Sequence, residues 1–116
     1  PLQDKHVLIP TEVTEINTTV DTYNKTIQTL AASKGLAFVD ANAKMIELQK
    51  TSGIQFDGVK YNASFIRGGS FSLDGVHLTG RGYAIIANEF IKSINSTYGS
   101  TLPQVNVNNY SGVTFP

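Results

Sequence analysis

Six apolar residues, Val13, Ile16, Val20, Tyr23, Ile27 and Leu30, recur at spacings of 3, 4, 3, 4, 3, and this run narrows the possible folds more than any other feature. Side chains three, four and seven residues apart share one face of an α-helix, so the spacing predicts an amphipathic helix of about six turns. Short apolar runs stand on either side: His6-Val7-Leu8-Ile9, closed by Pro10, and Leu36-Ala37-Phe38-Val39, closed by Asp40. Runs of that length between breakers read as buried strands. Thr11 is expected to cap the helix and Gly35 to stop it. Strand, long helix, strand in this order makes a βαβ crossover, whose two strands lie parallel.

Downstream, a short helical stretch around Ala43 to Gln49 is broken by Thr51-Ser52-Gly53. Ile54-Gln55-Phe56 and Val59-Lys60-Tyr61 alternate around Asp57-Gly58, a favourable signal for a type I′ β-hairpin. A glycine-containing loop, Gly68 to His77, leads to a last helix capped by Thr79, with apolar positions Tyr83, Ile86, Ala87, Phe90, Ile91 and Ile94 and a stop at Gly99. The tail carries Val105, Val107, Tyr110, Val113 and Phe115 among Asn and Gly, and is expected to lie extended over the surface. No internal repeat is present.

With 116 residues, one compact domain is the upper bound. Nine basic side chains balance nine acidic ones, and no run of Lys or Arg occurs. That removes the electrostatic footprint of a nucleic-acid binder or a polybasic membrane anchor. No stretch approaches the roughly 18 apolar residues of a membrane span. The absence of Cys rules out disulfides and thiolate metal sites. Charged residues make up only 16%, with Ser, Thr and Asn in their place, a composition that resembles exported proteins. The same composition places Asn-x-Ser/Thr sequons at Asn17, Asn24, Asn62, Asn95 and Asn109. Those on helical patterns are poor acceptors for glycosylation. The N-terminus has neither an initiator Met nor a signal-peptide pattern, so the chain is expected to start inside a longer protein.

The chemistry concentrates in one loop. Asp74 and His77 are three residues apart, a spacing that a tight loop or one helical turn converts into side-chain contact. A carboxylate so placed orients an imidazole and stabilises its cationic form, leaving the second ring nitrogen to take a proton from a nucleophile. Equally, such a pair is an Asp at a helix start beside a surface His. Ser70 and Ser72 stand near, but neither lies in a Gly-x-Ser-x-Gly elbow, and their hydroxyls are expected to bond the loop backbone. His6 is the one other histidine, with no metal-ligand spacing to His77 or to carboxylates, so neither a metal nor a cofactor is called for. Arg81 reads as a solvated charge, Phe71 and Leu73 as core contacts. Gly80 and Gly82 mark close backbone approach of the first turn of the last helix to the sheet.

The string Gly69-Ser70-Phe71-Ser72-Leu73-Asp74-Gly75-Val76-His77-Leu78-Thr79-Gly80-Arg81-Gly82-Tyr83-Ala84 resembles the last sequence block of the GDSL, or SGNH, serine esterases and lipases, and most of all their bacterial exported members. The resemblance extends less specifically over residues 6 to about 102. It implies that Asp74 and His77 are the catalytic acid and base. It also implies an α/β fold, the C-terminal portion of a three-layer α/β/α, flavodoxin-like hydrolase with parallel strands and the small β-hairpin as an insertion. Residues 1–102 would be that part of the domain and 103–116 the tail. The family's Gly-Asp-Ser-Leu block with its nucleophile, its oxyanion-hole Gly and its Gly-x-Asn-Asp block have no counterpart here. The chain then supplies half of an ester hydrolase acting on acyl or acetyl esters of lipid or carbohydrate, inactive by itself, and completed by the missing N-terminal half or accompanied by a second copy. Exported location in a bacterium is implied with it. The rival expectations are a non-catalytic binding or assembly module of an exported protein, in which Asp74 and His77 only pin a loop, and a flavodoxin-like nucleotide-binding half-domain. Ile9-Pro10-Thr11-Glu12 offers the latter no glycine-rich phosphate loop.

Overall fold

A computed structural model describes residues 2–113 of the chain. Its backbone forms two compact units, Pro1–Leu36 and Ala37–Pro116. The fold is α/β in the general sense, helices together with a small antiparallel hairpin.

The first unit is essentially one helix, α1 (Pro10–Ser33), preceded by a 3₁₀ turn at Asp4–His6. Its start lies earlier than the expected Thr11 cap. Ile9 is the N-cap and Pro10 the first helical residue, because proline's fixed φ suits that position and its missing N–H would have had no partner there anyway. Glu12 reaches back to accept the Ile9 N–H at 3.0 Å. The helix ends as expected around Gly35: the Leu36 N–H bonds the Ala31 carbonyl and the Gly35 N–H the Ala32 carbonyl, a Schellman pair with Gly35 at a φ of 62°. Thr14, Thr18, Thr22 and Thr26 each return their hydroxyl to the carbonyl four residues earlier. The predicted apolar stripe is present but uncovered, since Val13, Ile16, Val20, Tyr23, Ile27 and Leu30 are all exposed and only Ala31 is buried.

The second unit holds α2 (Ala41–Gln49), β1 (Ile54–Phe56), β2 (Val59–Tyr61), α3 (Gly80–Tyr98) and a 3₁₀ turn at Val107–Asn109. Asp40 caps α2 by accepting the Ala43 N–H at 2.8 Å. β1 and β2 pair antiparallel, Ile54 opposite Tyr61 and Phe56 opposite Val59. Asp57 and Gly58 form the turn with φ of 46° and 78°, the positive angles that a type I′ turn needs at both central residues and that glycine adopts without steric cost. α3 begins at Thr79, whose hydroxyl accepts the Gly82 N–H, and ends at Gly99, both as the sequence predicts.

The core joins Leu48 of α2, Tyr61 of β2, Ala84 and Ile85 of α3, and Val107, with Met45, Ile54, Phe56 and Val105 packed against them. Val107, on the segment expected at the surface, is completely buried, and Phe115 lies outside the described residues. Lys44 of α2 sits between Glu47, at 2.7 Å, and Glu89 of α3, at 3.5 Å.

The expected parallel pairing of 6–9 with 36–39 is not formed among the described residues, whose one sheet is the two-stranded hairpin. Two parallel strands alone have no stable existence, because each needs neighbouring strands and cover on both faces. The 37–38 stretch instead finds its hydrogen bonds on α3: the Ala37 N–H donates to the Tyr98 hydroxyl at 3.0 Å, and the Phe38 carbonyl accepts from Ser93 Oγ at 2.7 Å.

Candidate active site

The loop between β2 and α3 is tied at its base. Thr79 donates its N–H to the Ser70 carbonyl at 2.9 Å and its hydroxyl to the Gly69 carbonyl at 2.7 Å. Phe71 bridges antiparallel to Leu78, and the Ser72 N–H bonds the His77 carbonyl at 2.8 Å. Residues 70–72 and 77–79 therefore run as a short ribbon whose tip is Leu73-Asp74-Gly75-Val76. The glycines at its foot allow close packing, but against this ribbon and the C-terminal segment where approach to the sheet was expected. A Cβ at Gly82 would overlap the Ser70 carbonyl oxygen and crowd the Leu78 side chain, and one at Gly80 would press on Ser111.

At the tip the structure brings Asp74 and His77 together. Asp74 Oδ2 lies 2.6 Å from His77 Nδ1. The other oxygen, Oδ1, accepts the Ser72 hydroxyl at 2.7 Å and the N–H groups of Val76 and His77, each at 2.9 Å. These donors hold the carboxyl far below the usual carboxylate range, the Ser72 hydroxyl first, then the Val76 N–H, the imidazole and the His77 N–H. An ionised carboxylate only accepts hydrogen bonds, so Nδ1 carries a proton, and in the neutral imidazole the lone pair is then on Nε2. The His77 side chain is 72% exposed, so the imidazole is open to a reacting group. Such a pair can orient a base, accept a proton through Nε2 and return it.

The neighbouring residues take other roles. Ser72 bonds the Asp74 carboxylate directly rather than the loop backbone. Ser70 is buried, with no hydrogen-bond partner for its hydroxyl among the described residues. Arg81 is partly exposed and makes no ion pair among the described residues; its Nε donates to the Tyr110 carbonyl at 2.8 Å and its backbone N–H to the Ser111 carbonyl, tying the C-terminal segment to the start of α3. Phe71 is half-buried and Leu73 exposed, so only the first has a packing role. His6 lies exposed at the end of the 3₁₀ turn in the first unit. Among the described residues no three His, Asp or Glu side chains gather to hold a metal ion, and no helix is long and apolar enough to cross a membrane.

Sequence reasoning did not identify Ser72 as a partner of the acid, although its place two residues before Asp74 is the signal for such a bond. It also overlooked a depression of about 260 Å³ beside the loop, lined by Gln49, Ala63, Phe65, Phe71 and Gly75. Its lining comes from three separate segments. No protein-family model, curated protein or solved structure matches the chain.

Proposed function

We propose that this chain supplies the acid and base of a serine ester hydrolase of the GDSL/SGNH type, Asp74 orienting His77, with the nucleophilic Ser and the oxyanion donors on a preceding N-terminal half. The observation that carries the reading is the 2.6 Å contact between Asp74 Oδ2 and His77 Nδ1 on a tied loop, with the imidazole otherwise exposed. His77 Nε2 takes the proton of the serine hydroxyl as its oxygen bonds the acyl carbon. It then passes that proton to the alcohol oxygen as the acyl–oxygen bond breaks. Water repeats the sequence on the acyl-enzyme and releases the acid. Asp74 remains ionised and stabilises the imidazolium between the two transfers.

In the same reading the parallel, flavodoxin-like sheet is completed by strands of the N-terminal half laid beside 6–9 and 36–39, which also cover the apolar stripe of α1. Without that half, a second copy is the partner for the stripe. Acyl or acetyl esters of lipid or carbohydrate are the substrates, and the protein is an exported bacterial one.

Three of the four hydrogen bonds at Asp74 come from Ser72 and the loop's own N–H groups, and this favours a second reading, a non-catalytic module in which Asp74 organises the loop. One experiment separates them. In the full-length protein His77→Ala is expected to lower kcat for a short-chain ester by about 10³-fold or more. Turnover that ignores His77 overturns the hydrolase reading.

A further inference from the structure

We infer that Ser72 is a positioning residue for the reaction, its hydroxyl clamping Asp74 so that the carboxylate keeps Oδ2 on His77 Nδ1 and the neutral imidazole carries its proton there. This rests on the hydrolase reading above and adds the group that holds its acid in place. An ionised carboxylate has about four acceptor sites. Four donors meet Asp74: the Ser72 hydroxyl and the Val76 and His77 N–H groups on Oδ1, and His77 Nδ1 on Oδ2. Val76 and His77 follow Asp74 in the chain, so three of the four contacts belong to the outgoing limb of the loop. Ser72 alone reaches the carboxylate from the incoming strand.

Hydrogen bonds have to hold the pair, because packing does not. The side chains of Asp74 and His77 are 51% and 72% exposed, Leu73 and Val76 beside them are exposed as well, and a Cβ at Gly75 would meet nothing within 4 Å. In such surroundings an Asp side chain turns about χ1 and χ2 unless bonds from two directions fix it, and a reacting group has to be held within about 0.5 Å. The ribbon itself does not need the hydroxyl: the Ser72 N–H bonds the His77 carbonyl at 2.8 Å and the Gly75 N–H the Ser72 carbonyl at 3.1 Å, both through the backbone. Among the described residues the hydroxyl has one hydrogen-bond partner, the carboxylate.

The test has two arms. In the isotope-labelled chain, imidazole nitrogen shifts at a pH where the ring is neutral report which nitrogen carries the proton, and the chain's two histidines are told apart with His77→Gln. Wild type is expected to show the Nδ1–H form at His77. Ser72→Ala is expected to give a mixture of both forms, and Ser72→Thr, which keeps the hydroxyl, to restore the first. In the full-length protein Ser72→Ala is expected to lower kcat for a short-chain ester about tenfold with KM unchanged, because the loss falls on proton transfer and not on binding, and Ser72→Thr to recover most of it. An unchanged tautomer, an unchanged kcat, a loss carried by KM, or a threonine variant as slow as the alanine one each overturns the inference while leaving His77-dependent hydrolysis standing. Ester turnover unaffected by His77→Ala removes the hydrolase reading itself, and the role of Ser72 in the reaction with it.

Discussion

Asn88 offers Val105 both hydrogen bonds that a neighbouring strand would: Nδ2 donates to its carbonyl at 2.9 Å and Oδ1 accepts its N–H at 2.8 Å. Asn95 repeats the pattern on Leu102, at 2.9 Å in each direction. The match is geometric. Seven residues of helix rise about 10.5 Å and three residues of extended chain about 10 Å, so amides one heptad apart on α3 meet peptide groups three apart on an antiparallel segment. Asn88 is completely buried, and Asn88→Ala strands two backbone groups away from water, with an expected loss of about 3 kcal/mol in urea unfolding. Asn95 is only partly buried, and Asn95→Ala is expected to cost about 1 kcal/mol or less.

Gly82→Ala separates packing from helix propensity. Alanine is the better helix former by about 1 kcal/mol. The new Cβ meets the Ser70 carbonyl, a backbone atom held by the Thr79 N–H, so neither side can yield cheaply. We expect a net destabilisation of about 2 kcal/mol, read from the denaturation midpoint.

The Asp74 carboxyl has a folded pKa depressed below its unfolded value, so its contribution is present above the ordinary carboxylate range near 4 and is lost only as pH falls through the lower folded value. Carboxyl carbon shifts followed by NMR from pH 7 down to about 3, where ordinary Asp is already mostly protonated, are expected to show Asp74 still ionised. Titration of Asp74 near 4 would mean that the four donors do not hold the ionised form in solution.

Ser72→Ala removes the donor with the largest effect on that carboxyl. The N–H groups of Val76 and His77 and the imidazole remain, so the Asp74 pKa is expected to rise towards the ordinary range without reaching it. Being an exchange at a partly exposed loop position, it should alter global stability by about 0.5 kcal/mol or less. The same NMR titration checks both points.

The uncovered stripe of α1 predicts self-association of the isolated chain. Sedimentation is expected to give a dimer, and the double variant Val20→Lys, Ile27→Lys a monomer, because each lysine places a charge in the middle of the apolar face. A wild-type monomer at tens of micromolar would show that the stripe is tolerated in water.

Sequence alone determined the parts of this protein that are settled within a few residues of chain. The stripe from Val13 to Leu30 and the stop at Gly35 defined α1, Thr79 and Gly99 bracketed α3, and Asp57-Gly58 specified the hairpin and its register, because capping, helical periodicity and turn angles are local. The three-residue spacing of Asp74 and His77 likewise let a tight loop close the contact. Tertiary structure decided everything that depends on which distant group arrives. Residues 36–39 have the composition of a strand, yet a strand exists only beside another backbone, and here Ser93 and Tyr98 meet the peptide groups of 37–38 instead. Val107 and Val113 look alike as tail residues, but only Val107 is fully buried, in the core with Leu48, Tyr61 and Ile85. Arg81 keeps its charge partly in water, and only the fold brings the Tyr110 carbonyl to its Nε. No local pattern encodes such meetings, since the partners lie roughly 20 to 60 residues apart and compete with water until the fold delivers them.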